Sequence, residues 1–483
     1  VNRFGAGPDP LGRPTLLRLE AAGRGGAAQR AVTAGRLQAA AGNAAVARYF
    51  EVQRYDAYEH ATEGDRVPGS RTATVAEHED LYTGDRSGGL RLTSGEIDAL
   101  ADLYGSPEAL YRADPAEVRR VLDLVHQQQR DPHSVPESAW DAATGGRYNR
   151  LNLRNSGHFG PSNPALVPVR PGGSGSNRDR FMQYYNETIV NGQDAYRFLG
   201  LPSPEQTRRK LDQATLAAGF AEHYIMDAFS AGHLFNKDDF VAQVRQNLDT
   251  LPPARLSSLF QTVARRVLAN PTAHRLLAQY EPAERPWGGW MPFRPNFDRP
   301  AAFQGLLEEL YQDAEGRQAV YSSLVKVVHD RLSTHDAGGG LVGVPVENSV
   351  GSWVLSGDRT LDRSPQPAAR SPQPAARSPQ PAARSPQTQQ MIDRAISQFR
   401  QNIQPYLAGP VPPTTGGGYC PGAELVTAFF PRPTTASTAM IAELIRRVTD
   451  PNVGMIDALV EILLAELPST ISALLARGKI RPA

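Results

Sequence analysis

Apolar positions recur at helical spacing along most of this chain. Leu37, Ala41, Ala45 and Phe50 share a face within residues 35–55, which predicts a short helical docking segment. From residue 92 the pattern strengthens. Thr93-Ser-Gly-Glu96 reads as a capping box, with Thr93 at the N-cap and Glu96 three residues on, ahead of Ile97, Leu100 and Leu103. Asp114-Pro-Ala-Glu117 opens a second helix in the same way, carrying Val118, Val121, Leu122 and Val125. Further helices are predicted over 180–200, 204–236, 253–270, 302–336, 387–407, 435–447 and 452–478. Strand-like alternation occurs from Val344 to Leu355 and predicts one short hairpin at most. The fold class that follows is all-α, helix packed on helix with long loops between.

The interruptions have their own composition. Residues 1–34, rich in Gly, Pro, Arg and Ala, predict a disordered tail. Residues 160–178 read as a loop of Pro, Gly and Ser. From Arg363 the unit RSPQPAA runs three times and is cut short at Arg384-Ser-Pro-Gln387. Two prolines per unit bar a helix, and few apolar side chains are left for a core. Residues 363–387 therefore read as a solvated loop inside one helical domain, 56–483, with a proline-rich recognition ligand as the alternative.

Composition narrows the chemistry. The chain has 483 residues with 51 basic and 50 acidic side chains, so no overall field points to nucleic acid or an anionic membrane. Its one cysteine, Cys420, excludes an intramolecular disulfide framework and a thiolate zinc cluster; a metal here must be held by histidine and carboxylate. No apolar run is long enough for a transmembrane helix. The start, Val1-Asn-Arg-Phe-Gly, has no basic stretch leading into an apolar one, so the expectation is synthesis in a bacterial cytoplasm without a Sec signal.

The sharpest feature is His223-x3-Asp227-x5-His233. Four residues apart on a helix, His223 and Asp227 share a face and can meet one ion. Gly232 should end the helix or turn the backbone, swinging His233 towards the same ion. Two imidazoles and a carboxylate suit Zn²⁺ with a position left for water; the plain alternative is a hydrogen-bonded His–Asp pair. His60, His126, His133, His274 and His335 lack ligand spacing with a partner and read as surface or hydrogen-bonded residues.

The flanks of this motif, Ala221-Glu-His-Tyr-Ile-Met-Asp-Ala-Phe-Ser-Ala-Gly-His-Leu234 after the small residues Ala214 to Ala221, resemble the central helix of the zinc-dependent phospholipase C and single-strand nuclease superfamily. Other stretches are similar to that family in the same order. They are Ala76-Glu-His78 before Gly84-Asp85, the helix of Leu92 to Asp102, Asn155-Ser-Gly-His158, and Val327-Val-His329-Asp330 before Gly338-Gly-Gly, Ser352-Trp353 and Ser356-Gly-Asp358. The resemblance spans residues 56–480. It implies an all-helical fold with one to three Zn²⁺ ions held by His78, Asp102, His158, His223, Asp227, His233 and His329. It also implies hydrolysis of phosphodiester bonds in phospholipid or nucleic acid; beside such a metal an unligated carboxylate, Asp102 or Asp330, would take the proton from water. The chain departs from the family where Arg331, Leu332 and Ser333 replace a glutamate, where Tyr184-Tyr185-Asn186-Glu187 replaces a histidine, and where a long extension displaces an N-terminal tryptophan ligand. Those departures favour one or two metals over three.

Arg36-Leu-Gln-Ala-Ala-Ala-Gly-Asn43-Ala-Ala-Val-Ala-Arg48 with Gln53-Arg54 resembles a segment at the front of proteins associated with extracellular contractile injection systems. It implies an effector or toxin loaded onto such a particle through residues 35–54 and delivered into a target cell. The alternative is a structural or binding component of the particle that has lost turnover.

Overall fold

A computed structural model describes residues 57–482 apart from 76–77, 80–85, 88, 132–133, 149–150, 152–154, 169–174, 198–203, 283–295, 334–342, 356–385, 411–421 and 477–478. The predicted tail 1–34, the docking segment 35–55 and the repeat through residue 385 lie outside the described residues. In chain order the helices are α1 (Ala57–Arg66), α2 (Ser94–Tyr104), α3 (Pro107–Tyr111), α4 (Pro115–Arg130), α5 (Glu137–Ala143), α6 (Asn177–Arg197), α7 (Pro204–Asp227) and α8 (Lys237–Asp249). They continue with α9 (Pro253–Leu268), α10 (Pro271–Leu277), α11 (Pro300–Gln312), α12 (Ala314–Ser333), α13 (Pro386–Ala408), α14 (Ala423–Thr427), α15 (Thr435–Thr449) and α16 (Met455–Ala476). Helices dominate and the strands are short, so the fold is all-α. None of the described helices is long and apolar enough to cross a membrane.

Local sequence explains several boundaries. Thr93 and Glu96 form the capping box at the start of α2, and Gly105, at φ 69°, closes it with its N–H on Ala101 O. Asp114 caps α4 through the N–H of Ala116. Two predicted helices are each divided. The stretch 204–236 ends as α-helix at Asp227, turns, forms a 3₁₀ turn at Ala231–His233, and restarts at α8 under the cap of Asn236. The stretch 302–336 breaks at Asp313, whose carboxylate takes the N–H of Gly316 at 2.9 Å. In both cases a polar side chain near the break satisfies backbone donors that would otherwise be orphaned.

Strands are more numerous than the single hairpin expected. Thr72–Val75 (β1) pairs antiparallel with Leu90–Thr93 (β4), and His78–Glu79 (β2) with Arg86–Ser87 (β3). Tyr280–Pro282 (β5) pairs with Ile480–Pro482 (β9). The expected hairpin is there as Val344–Glu347 (β6) and Ser352–Leu355 (β7), with Arg432–Pro433 (β8) added on the other side of β6. Ladders of two to four residues are too short to leave a legible period-two pattern.

One apolar cluster runs from Ala61 to Ile480. At its centre is α7, buried at every position from Ala214 to Asp227 and packed against α1, α2, α6 and α13. The small residues of α7 permit that closeness. A Cβ at Gly219 would lie 2.9 Å from the Cβ of Ile97 on α2, so only glycine allows the two helices to meet there.

Candidate metal centre

Five buried side chains from four elements converge beside α7. His223 and Asp227 stand one turn apart on α7, with Nε2 of the histidine 3.2 Å from Oδ2 of the aspartate. Asp102, in the last turn of α2, places Oδ1 3.6 Å from His223 Nε2 and 3.8 Å from His158 Nδ1. His158 ends the 3₁₀ turn Asn155–His158, and its Nδ1 is 2.6 Å from Asp227 Oδ2 and 3.2 Å from His223 Nε2. That turn is tied down on both sides. Asn177 donates to His158 O, Lys237 Nζ donates to Asn155 Oδ1 at 2.6 Å, and Ser156 Oγ donates to Asp238 Oδ1.

The fifth member is His60 of α1, whose spacing along the chain predicts only an ordinary histidine. It is fully buried, with Nε2 3.7 Å from both Asp102 Oδ2 and Asp227 Oδ1 and its ring 4.2 Å from that of His223. Nothing in the spacing of α1 could have revealed it, because its partners lie on other helices far along the chain. Two triplets result, His60/Asp102/His223 and His158/His223/Asp227. Within each, one donor atom per residue lies within 4.8 Å of the others, so these buried clusters could hold a metal ion.

The electrostatics favour the ligating form of two of these donors, His60 and Asp227. Burial, then the neighbouring His223, lowers the His60 pKa to about 3, against a partial opposing pull from Asp227 and Asp102. The imidazole is therefore neutral at physiological pH, as a ligand must be. Burial alone would raise the carboxyl of Asp227, but His223 and His158 outweigh it and hold that group well below the usual range.

His233 and His329 form a second pair next to the triplets. His233 Nδ1 is 3.0 Å from the backbone oxygen of Asp227 and 3.7 Å from Oδ1 of the same residue. Its ring lies 5.2 Å from that of His329 on α12. Asp330 pairs with side chains of its own helix. One oxygen is 3.2 Å from His329 Nδ1 and the other accepts from Lys326 Nζ at 2.9 Å, an arrangement that orients the His329 ring. His78 lies in β2, opposite Ser87, and its side chain lies outside the described residues. So do Gly84-Asp85, His133, His335, Gly338-Gly-Gly and Ser356-Gly-Asp358. His126 pairs with Glu96 at 3.0 Å, away from the cluster.

A layer of charge lies beneath the centre. Arg400 of α13 donates to both oxygens of Glu222, at 2.8 and 2.5 Å, and to the carbonyls of Gly64, Val67 and Pro68 at the end of α1. Glu222 immediately precedes His223, and Gly64 is one turn from His60. One guanidinium that contributes no ligand thus joins two helices that do.

Compared with protein-family models, with curated proteins and with solved structures, the chain finds no match in any of the three.

Proposed function

We propose that this chain is a zinc-dependent phosphodiester hydrolase carried as an effector of a contractile injection system. The observation that carries the reading is the convergence of His60, Asp102, His158, His223 and Asp227 in two buried triplets. Imidazole and carboxylate together are a donor set of zinc and related divalent ions. His233 and His329 are the proposed ligands of an adjoining position, and His78 remains a proposed ligand on the resemblance alone. Bound zinc supplies a Lewis acid for phosphoryl oxygens and lowers the pKa of water to about 7.

The chain's own residues do the rest. Asp102 belongs to the first triplet, lies 3.8 Å from His158 of the second, and is slightly less enclosed than Asp227, 4% against 0% exposed, so it is the carboxylate best placed to accept a proton. Asp330 holds the His329 ring in one orientation and acts through it. The ordered motifs resembling the phospholipase C and single-strand nuclease superfamily support the reaction class, and residues 35–54 support the address.

A second reading is favoured by one feature, the enclosure of the centre. All five residues of the triplets are at most 6% exposed, which leaves little access for a substrate to an ion held there. In that reading the chain is a particle component that keeps the metal and has lost turnover, in line with Arg331, Leu332 and Ser333 in place of a glutamate.

Elemental analysis of protein purified without chelator, wild type beside the His223→Ala/His233→Ala variant, tests the first reading. Zinc bound stoichiometrically to the wild type and lost in the variant is the expected result; no metal in either overturns it. Chelator-sensitive cleavage of bis(4-nitrophenyl) phosphate then separates enzyme from degenerate relative.

A further inference from the structure

Beside the metal centre lies a cleft of about 320 Å³ whose wall includes the buried ring of His233. Two arginines line it from different parts of the chain, Arg178 in the first turn of α6 and Arg432 in β8. Both are exposed, and neither forms an ion pair with any described residue. Among the described residues no aspartate or glutamate lines the cleft. Asn163, also on the wall, accepts the N–H of Ala165 on its Oδ1 at 3.0 Å, which leaves its amide nitrogen as a donor. Two uncompensated guanidiniums in a concavity free of carboxylates make a local anion site on a chain whose net charge is only +1.

We infer that this cleft is a subsite for the phosphates that flank the scissile bond of a polynucleotide strand, with Arg178 and Arg432 as its phosphate-binding residues. The inference rests on the phosphodiesterase reading and narrows its substrate. A strand offers successive phosphates, more than one of which can be bound at a time. A phospholipid diester offers one phosphate and needs apolar surface for its chains. The apolar part of the cleft wall is Ala228, three prolines and the buried Leu234 and Phe430, whereas the large apolar side chains exposed among the described residues, Val190, Val350, Val354, Leu425, Met440 and Val453, lie elsewhere. Neither arginine touches the triplets, so their role is to bind and align the strand, not to take part in bond breaking.

The test uses the full-length chain and a fluorescent single-stranded oligothymidylate, with binding measured by anisotropy in zinc-loaded protein and again after chelation. Arg178→Gln and Arg432→Gln should each weaken binding about tenfold and lower the steepness of its salt dependence by about 0.7, the value for one single-strand phosphate contact. In steady-state assays each variant should raise KM for the oligonucleotide about tenfold, and by a larger factor than it raises KM for bis(4-nitrophenyl) phosphate, which has no flanking phosphates. Because binding is also read without metal, loss of the catalytic reading and loss of the subsite give different results. Arginine-dependent binding without turnover keeps the subsite and removes the enzyme. Unchanged binding in both variants, or no binding to the wild type, overturns the subsite. So does arginine-dependent binding to phosphatidylcholine vesicles in preference to the oligonucleotide.

Discussion

Gly232 shows how much one residue can decide. A Cβ there would lie 2.5 Å from His329 Nε2 and 2.7 Å from Ser333 Oγ, so α12 can bring His329 beside His233 only because the position is glycine. Gly232→Ala should push His329 away, at a cost of about 1–3 kcal/mol from overpacking. Denaturant unfolding would show the stability loss, and elemental analysis a lower zinc content; full zinc content would refute the assignment of His329. Asp98 is the second case. It is fully buried on α2, one turn before Asp102, and neither oxygen has a hydrogen-bond partner among the described residues. Burial, then the nearby charge of Glu222, raises its pKa well above the ordinary value, with Arg400 opposing. A carboxyl raised on folding contributes stability below its unfolded pKa of about 4, and that contribution is lost as pH rises through the folded value. Asp98→Asn should therefore melt higher than wild type at neutral pH, with the difference vanishing in acid. An equal shift at all pH values would contradict this.

Among the elements, α1 is the least promising from sequence and among the most consequential. Its ten residues carry few apolar side chains, yet Glu59, His60 and Glu63 are all buried. What holds it is Arg400, which caps its final carbonyls while pairing with Glu222 of α7. Removing one partner of a buried ion pair leaves the other charge uncompensated, so Arg400→Met should cost about 3–5 kcal/mol. Glu222→Gln in the same chain should restore part of that loss; denaturation of the single and double variants would reveal strict additivity if the two residues do not interact. By contrast α2 was legible at once, since Thr93 and Glu96 cap it through contacts three residues apart. The 204–236 stretch was legible only in part. Its apolar spacing continues past Asp227, but the turn there is set by His233 reaching back to Asp227 O, a tertiary preference that periodicity does not record.

For the molecule as a whole, the proposed metal would join α1, α2, the Asn155–His158 turn and α7 at one point. A ligand that binds only the folded state at 1,000 times its Kd adds about 4 kcal/mol. Chelation should accordingly lower Tm by several degrees in wild type and leave the His223→Ala/His233→Ala variant unmoved; equal curves with and without chelator would argue against a bound ion. By itself the sequence determined the all-α class, the capping of α2, and the sharing of a face by His223 and Asp227, because each depends on residues within a turn or two of one another. Only the tertiary structure decided that His60 joins Asp102 and His158 around that pair, that Asp330 turns to His329, and that Arg178 and Arg432 line one cleft with His233. Such meetings are set by which helix faces pack together, and a side chain brought to a neighbour by packing leaves no periodic trace in its own stretch of chain.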